Sequence, residues 1–385
     1  MLYRKFGNSN WSISVLGFGM LRLPMQESNK LRINEDLAIQ IIHKAIDGGI
    51  NFFDTAYHYH YGMNESLLGK ALDGSKRQKV KIATKMPTIM INSKENMGHI
   101  LNKQLKRLKT DHIDFYLFQS LNRMHWEKLK RFDPIVWAEQ AITDGKIGAI
   151  GFSFHDEYKV FKEIIEYYNK WELCYVQYNY LDVNKQAGIA GLELAYKNNV
   201  PVIVMEPLRG GQLTRIPTPH INNIWNRLDS TKSIVDLALQ WVWDHKEVTS
   251  LMCGMSSLND LEQNLKIADS GYAHCLNSQE RSTINMIKEE IEKIITIPCT
   301  SCNYCMPCPS KVFIPGIFET YNEFMIYKDV QRAFNEYNVW TSRELRANNC
   351  TKCEKCEMIC PQKIQIIDWL QKAHKTLSNC SILSL

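Results

Sequence analysis

The chain has 385 residues, 45% of them hydrophobic, with 46 basic and 41 acidic side chains and a formal net charge of +5. That length buries one large core and leaves room for a small second domain. The charge is spread along the chain, and its clusters at Lys103 to Lys109 and Lys128 to Arg131 ride on amphipathic patterns such as Leu101, Leu105 and Leu108, so they read as solvated helix faces and exclude a nucleic-acid partner. No run of 18 apolar residues occurs, and the first residues lack the apolar segment of an export signal, so a cytoplasmic protein with no membrane partner is expected.

After a Gly-punctuated start, Val15 to Gly19 reads as a first strand. Further strands are expected near Asn51 to Asp54, Val80 to Lys85, Ile113 to Gln119, Ile147 to Ser153, Tyr175 to Tyr178, Val200 to Glu206 and Thr249 to Gly254. Helical periodicity lies near 35–48, 64–73, 94–108, 127–143, 156–169, 185–198, 230–244 and 258–268. Eight alternations argue for a closed (β/α)8 TIM barrel, of the α/β class, over residues 1–285. An open doubly wound sheet usually carries a Gly-x-Gly-x-x-Gly turn after its first strand, and Gly17-Phe-Gly19 is too little for that. The irregular stretches 86–92, 119–126 and 209–228 follow strands and are candidate loops over the barrel mouth.

At the ends of two neighbouring strands, Asp54 with Tyr59 five residues on, and Lys85, are placed to meet at that mouth. A nearby ammonium lowers the pKa of a phenol, and Asp54 would hold Lys85 charged and oriented. Spacing alone also allows Asp54 to cap a turn and Lys85 to be merely solvated.

Residues 286–385 read as a small, mainly helical, ferredoxin-like domain. Cys299, Cys302, Cys305 and Cys308 precede one proline, and Cys350, Cys353, Cys356 and Cys360 precede another. The pattern is that of a two-cluster ferredoxin, in which the fourth Cys of each run ligates the other cluster. Two [4Fe–4S] clusters are therefore expected, one on Cys299, Cys302, Cys305 and Cys360, the other on Cys350, Cys353, Cys356 and Cys308. The first run is one residue short of the usual spacing before its last Cys, and structural zinc is the rival ligand. Cys174, Cys253, Cys275 and Cys380 are scattered and read as buried thiols. Between the two runs, Glu319 to Asn335 has helical character.

Several segments in order carry a resemblance: Tyr3-Arg-Lys-Phe-Gly, Leu16-Gly-Phe-Gly, Phe53-Asp-Thr-Ala, Asn64-Glu-Ser-Leu-Leu-Gly69, Ala83-Thr-Lys85, Gly151-Phe-Ser153, Val176-Gln-Tyr-Asn, Gly254-Met-Ser256 and the cysteine runs. Together they resemble the aldo/keto reductase family, in its branch with a C-terminal ferredoxin-like 4Fe-4S domain, over nearly the whole chain. The resemblance implies a nicotinamide cofactor across the mouth, with Tyr59 as general acid, Lys85 tuning it and Asp54 supporting Lys85. It also implies that Ser153 and Gln177 hold the carboxamide, that Met205 stands where many relatives stack an aromatic ring, that Leu208, Gly210 and Gly211 lie near the pyrophosphate, and that Gly254, Ser256 and Asn264 lie near the adenosine. Locally, the double glycine is equally well a plain turn.

Departures from the family pattern matter. Gln119 stands where the family has a catalytic histidine; an amide orients a substrate oxygen but carries no proton. Phe154 replaces a common Asn. Asp260 sits where relatives grip a 2′-phosphate, which tilts the choice between NADH and NADPH toward NADH, although Ser257 to Asp260 also fits a capping box. His58 and His60, beside Tyr59, are candidate replacements for the missing imidazole. The function expected is an iron-sulfur oxidoreductase that uses a nicotinamide to reduce a carbonyl or conjugated carbonyl compound, coupled to or assisted by the clusters. An electron-transfer adaptor with a vestigial barrel site is the alternative. A small-molecule substrate, and a ferredoxin or other redox protein, are the expected partners. Flavin has no motif here yet needs none at a barrel mouth, and the oligomeric state is left open.

Overall fold

The computed structural model describes residues 1–27, 32–228, 230–299, 305–360 and 362–379. They divide into two units, Met1–Leu213 with Lys232–Ser278, and Thr214–Thr231 with Gln279–Leu385.

In the first unit, eight parallel strands close into a barrel: β3 (Leu16–Gly19), β4 (Phe52–Asp54), β5 (Lys81–Met86), β6 (Ile113–Leu121), β7 (Ile147–Phe154), β8 (Leu173–Gln177), β9 (Val202–Met205) and β10 (Val248–Cys253), with β10 pairing back onto β3. They coincide with the eight expected strands. Successive side chains alternate between the barrel interior and the helices outside. Phe52, Ala83, Phe115, Leu117, Leu173, Tyr175, Ile203 and Met252 form the inner cluster, whereas Phe53, Ile82, Tyr116, Phe118, Phe152, Cys174, Val176 and Val204 join the shell beneath the helices.

The sequence reading has no counterpart for the opening hairpin, β1 (Tyr3–Lys5) and β2 (Ser12–Ser14), whose strands are too short to show a period. Its turn carries Phe6 and Trp11 into the inner cluster. Phe6 meets Phe115 at 5.0 Å between ring centroids, and Trp11 meets Phe52 at 6.3 Å, so aromatic rings plug the end of the barrel where the strands begin.

Outside the barrel lie α1 (Glu35–Asp47), α2 (Met63–Ala71), α3 (Lys94–Leu108), α4 (Arg123–Lys130), α5 (Pro134–Thr143), α6 (Tyr158–Tyr167) and α7 (Gly188–Lys197). The single helix expected over 127–143 is two. Pro134 disfavours helical geometry in the residue before it, and Asp133 turns left-handed with φ 47°, which ends α4 and restarts the chain as α5. Within 209–228, part of the expected loop is α8 (Pro219–Asn226), capped by Thr218, and it belongs to the second unit. α9 (Ile234–Trp243) and α10 (Leu258–Ala268) complete the barrel, each opened by a capping box, Ser233 with Asp236 and Ser257 with Asp260.

The second unit also holds α11 from its second residue (Ser278–Ile294), α12 (Ile314–Tyr327), α13 (Val330–Phe334), a π-turn at Asn335–Trp340, α14 (Lys355–Met358) and α15 (Ile366–Ser378). A left-handed Lys328, φ 53°, breaks the helical stretch expected between the cysteine runs into α12 and α13. Ile317, Phe318 and Tyr321 of α12 pack with Leu370, Ala373 and Leu377 of α15 in a core of their own. Among the described residues no helix is long and apolar enough to cross a membrane.

Candidate active site

The alternation that fills the barrel floor with apolar groups delivers polar ones at its top. One step beyond Phe52, Ala83, Leu117, Gly151, Tyr175 and Ile203 come Asp54, Lys85, Gln119, Ser153, Gln177 and Met205, so six of the expected site residues share the inward face at the C-terminal ends of adjacent strands. Lys85 is 4% exposed and Asp54 6%. The Lys85 Nζ donates to both Asp54 carboxylate oxygens at 2.6 Å and to the Thr55 carbonyl at 2.8 Å, and lies 3.4 Å from the Tyr59 hydroxyl. A solvated Lys85 and a turn-capping Asp54 are thereby set aside.

Tyr59 opens a turn whose next three residues, His60, Tyr61 and Gly62, all have positive φ (48°, 56° and 87°). Such conformations are unfavourable for His and Tyr and persist only where surrounding contacts impose them. Burial works against the Lys85 cation, but Asp54 and Tyr59 outweigh it and leave its pKa raised. Burial likewise raises the Asp54 carboxyl against the pull of Lys85. The Tyr59 phenol departs from the sequence expectation: burial raises it, and Lys85 offsets that rise without reversing it. Tyr59 therefore stays protonated at neutral pH.

Gln119 is 8% exposed at the end of β6, with its Nε2 3.4 Å from the Nε2 of His58. Burial, then the Lys85 charge, lower the His58 imidazole. His60 instead faces Asn64, with Nδ1 2.9 Å from the amide, and so stands away from the Tyr59 hydroxyl's partners. Ser153 accepts from the Ser120 N–H at 2.8 Å, leaving its own proton for a ligand. Gln177 is engaged at both ends, donating to Asp182 at 2.9 Å and accepting from Gln186 at 3.3 Å. The double glycine forms a left-handed turn after Leu208, with φ 65° at Gly210 and 90° at Gly211, and a side chain at Gly211 would meet open space, so backbone conformation is what selects glycine there. Gly254 follows β10, where a Cβ would fall 2.7 Å from that of Arg22. Ser256 bonds to Asp260 through its N–H and its hydroxyl, and Asn264 is buried on α10.

Three residues of the mouth escape a reading that looks only at strand ends. Tyr175, on the inward face of β8, is buried; burial and the neighbouring Asp54 raise its phenol, and its hydroxyl closes no hydrogen bond of good geometry. His155 follows the end of β7, two positions after Ser153; it is exposed by area, yet desolvation by neighbouring protein mass and then the Lys85 charge lower its imidazole to about 4. Tyr175 shares the inward face with Gln177 by the strand period of two, whereas Ser153 and Gln177 themselves are expected from the family resemblance. Glu65 on α2, fully buried, carries no such sequence signal.

The cysteine expectation is corrected. Cys305, Cys308, Cys350, Cys353 and Cys356 line a cavity of about 180 Å³, but among the described residues no group of three or more His, Cys, Asp or Glu side chains is placed to hold a metal ion. Cys302 lies outside the described residues. Cys299, Cys305, Cys308, Cys350, Cys356 and Cys360 pack against the apolar core of α12 and α15, and Cys353 is exposed. Spacing along the chain fixes which thiols share a turn, whereas ligation requires three or more side chains at ligand geometry, and the described residues present no such group. Two [4Fe–4S] clusters and their coupling to the barrel are therefore not supported among the described residues, and a redox-protein partner is not shown.

A family model described as the aldo/keto reductase family matches residues 15–273, and one described as a 4Fe-4S dicluster domain matches residues 298–365. The NADH-specific methylglyoxal reductase of Escherichia coli (strain K12) is 23% identical over 310 residues, covering 67% of this chain and 91% of that protein. The L-galactose dehydrogenase of Arabidopsis thaliana is 25% identical over 314 residues, covering 76% and 95%. An aldo-keto reductase from Bacillus halodurans in its holo form matches with a TM-score of 0.60 at 26% identity, over 74% of this chain and 96% of that one. One from Klebsiella pneumoniae in complex with NADPH shares the fold, with a TM-score of 0.60 at 19% identity over 75% and 96%.

Proposed function

The chain belongs to the aldo/keto reductase family, and on that premise we propose that it is an NAD(P)H-dependent oxidoreductase that reduces the carbonyl group of a small-molecule substrate. The observation that carries this reading is the buried Lys85 ammonium, gripped by both oxygens of Asp54 and 3.4 Å from the Tyr59 hydroxyl.

A bound dinucleotide supplies a hydride to the carbonyl carbon. Tyr59 gives its phenolic proton to the oxygen as negative charge develops there, and the product is the alcohol. The raised phenol keeps that proton available at neutral pH. Lys85 stabilises the phenolate left behind, and Asp54 holds the ammonium charged and fixed in direction. Gln119 hydrogen-bonds the substrate oxygen but takes no part in moving the proton.

Ser153 offers a buried hydroxyl to the nicotinamide carboxamide, and Gln177 would exchange its bonds to Asp182 and Gln186 for the same group. Met205 would pack beside the nicotinamide ring; Leu208, Gly210 and Gly211 would hold the pyrophosphate, and Gly254, Ser256 and Asn264 the adenosine. Asp260 serves its helix as a cap and is still a carboxylate where a 2′-phosphate would come, which supports NADH over NADPH. The E. coli relative named as NADH-specific accords with that choice.

The test is oxidation of NADH and NADPH by the purified protein against a panel of small aldehydes and ketones, with Tyr59→Phe beside the wild type. Loss of a general acid is expected to lower kcat by about 10²–10⁴-fold with the fold intact. Undiminished turnover in Tyr59→Phe would remove the phenol from the mechanism.

A further inference from the structure

Behind the mouth, α2 and α3 come so close that a Cβ on Gly69 would fall 2.6 Å from the Leu108 backbone. One turn earlier on α2, that approach lets the fully buried Glu65 reach across. Its Oε1 accepts from the Thr84 hydroxyl at 2.7 Å and from Gln104 Nε2 at 2.6 Å, and its Oε2 accepts from Arg107 Nη1 at 3.0 Å. A buried carboxylate is costly unless ion-paired and hydrogen-bonded, and here both oxygens are engaged.

The donors around Glu65 do not stop there. Gln104 Nε2 also reaches the Lys85 carbonyl at 3.1 Å, and its Oε1 accepts from the buried Tyr116 hydroxyl at 2.6 Å. Arg107 Nη1 donates to the Tyr57 carbonyl at 2.8 Å, and its guanidinium lies 4.5 Å from the Tyr57 ring centroid. A Cβ on Gly62 would fall 2.6 Å from Arg107 Nη2, so the same guanidinium also lies against the far end of the left-handed turn that bears Tyr59. One branch of the network thus ends on the backbone of Lys85, the other on both flanks of Tyr59.

We infer that Glu65 is a positioning residue that, through Gln104 and Arg107, sets the separation between the Tyr59 hydroxyl and the Lys85 ammonium. It touches neither substrate nor cofactor. The left-handed turn after Tyr59 relaxes unless something imposes it, and Arg107 imposes it only while Glu65 orients the guanidinium. Loosening the network draws the phenol away from the ammonium, and the phenolate becomes harder to form. Lys85, Asp54 and Glu206 are the leading charges on the phenol, and the effect ascribed to Glu65 is one of geometry.

The inference rests on the proposed roles of Tyr59 and Lys85 for its kinetic consequence, but it has a readout independent of turnover. In protein labelled with ¹³C at the tyrosine ring carbon bearing the hydroxyl, the Tyr59 resonance is assigned by its loss in Tyr59→Phe, and its titration is followed in Glu65→Gln and Arg107→Lys. Both variants are expected to titrate at higher pH than the wild type, Arg107→Lys less so because a lysine keeps the ion pair without the fork. With a working assay, kcat falls about tenfold while KM stays within twofold, the scale of a small misplacement of catalytic groups. If Glu65→Gln does not fold, Arg107→Lys carries the test. A folded variant that loses stability but leaves the Tyr59 titration unmoved would show the network to be structural only. Retained turnover in Tyr59→Phe would sink the catalytic reading while leaving this titration to judge the positioning role by itself.

Discussion

The two ends of the barrel are built from the same strands and carry opposite chemistry. Where the strands begin, Phe6, Trp11, Phe52 and Phe115 fill the interior with rings 5.0 to 6.3 Å apart. Where they end, further along the same inward rows, Asp54, Lys85, Gln119 and Ser153 are buried polar groups. The base lowers the free energy of the fold by removing apolar area from water, whereas the mouth holds groups that are costly to bury; Asp54, Lys85 and Ser153 are partnered there, while the Gln119 amide oxygen and the Tyr175 hydroxyl are not. One strand, β4, makes both contributions through Phe52 and Asp54. The difference teaches that stability and chemistry here are separable along the strand direction, and that mutations at the two ends should fail in different ways.

The largest effect should come from Lys85→Met. It removes the cation from a buried carboxylate, and breaking such a pair costs about 3–5 kcal/mol. It also strips the ammonium from beside Tyr59. Denaturant unfolding and turnover are therefore both expected to collapse in this one variant, and a stable, active Lys85→Met would mean that the mouth does not depend on its ion pair.

At the base, Phe115→Ala should lose about 3–5 kcal/mol by cavity creation in the aromatic plug. Its turnover per folded molecule should stay within about twofold of wild type, because nothing that touches substrate has moved. Measured together by thermal melting and by kinetics below the transition, a large loss of kcat in the folded protein would break the separation between the two ends.

Much of this division was legible in the sequence. Eight alternations of strand and helix leave few topologies, and strand-end position alone points Asp54, Tyr59 and Lys85 to one mouth. The helix break at Asp133 was missed, since a single helix was expected over 127–143, although Pro134 carries the local signal for it. The opening hairpin was not legible, since three-residue strands show no period. Tyr175 was within reach, because the strand period of two puts it on the same face as Gln177, although Gln177 and Ser153 themselves came from the family resemblance. Glu65 was out of reach: a carboxylate on a helix reads as solvated, and only the approach of α2 and α3 at Gly69 buries it. The cysteines mark the opposite failure. Their spacing is a strong local pattern, yet metal binding is a property of converging atoms, and among the described residues those atoms pack against an apolar core instead.

The smallest effect sharpens the account of the mouth. His155 titrates near 4 in the folded chain and near 6.5 when unfolded, so between those values the unfolded state binds more protons. Stability contributed by this residue is then present above about pH 6.5 and declines as the pH falls toward 4. His58, His60, His245 and His374 are lowered by burial as well, so the decline is shared among them. Solvent access at the mouth weakens the part due to His155. His155→Gln should therefore narrow, without abolishing, the difference between denaturation midpoints measured at pH 7 and pH 4.5, and should leave the midpoint at pH 7 nearly unchanged. An unchanged difference would mean that the ring is hydrated like a surface histidine, and that the mouth desolvates Lys85 and Asp54 without desolvating the residue two positions beyond Ser153.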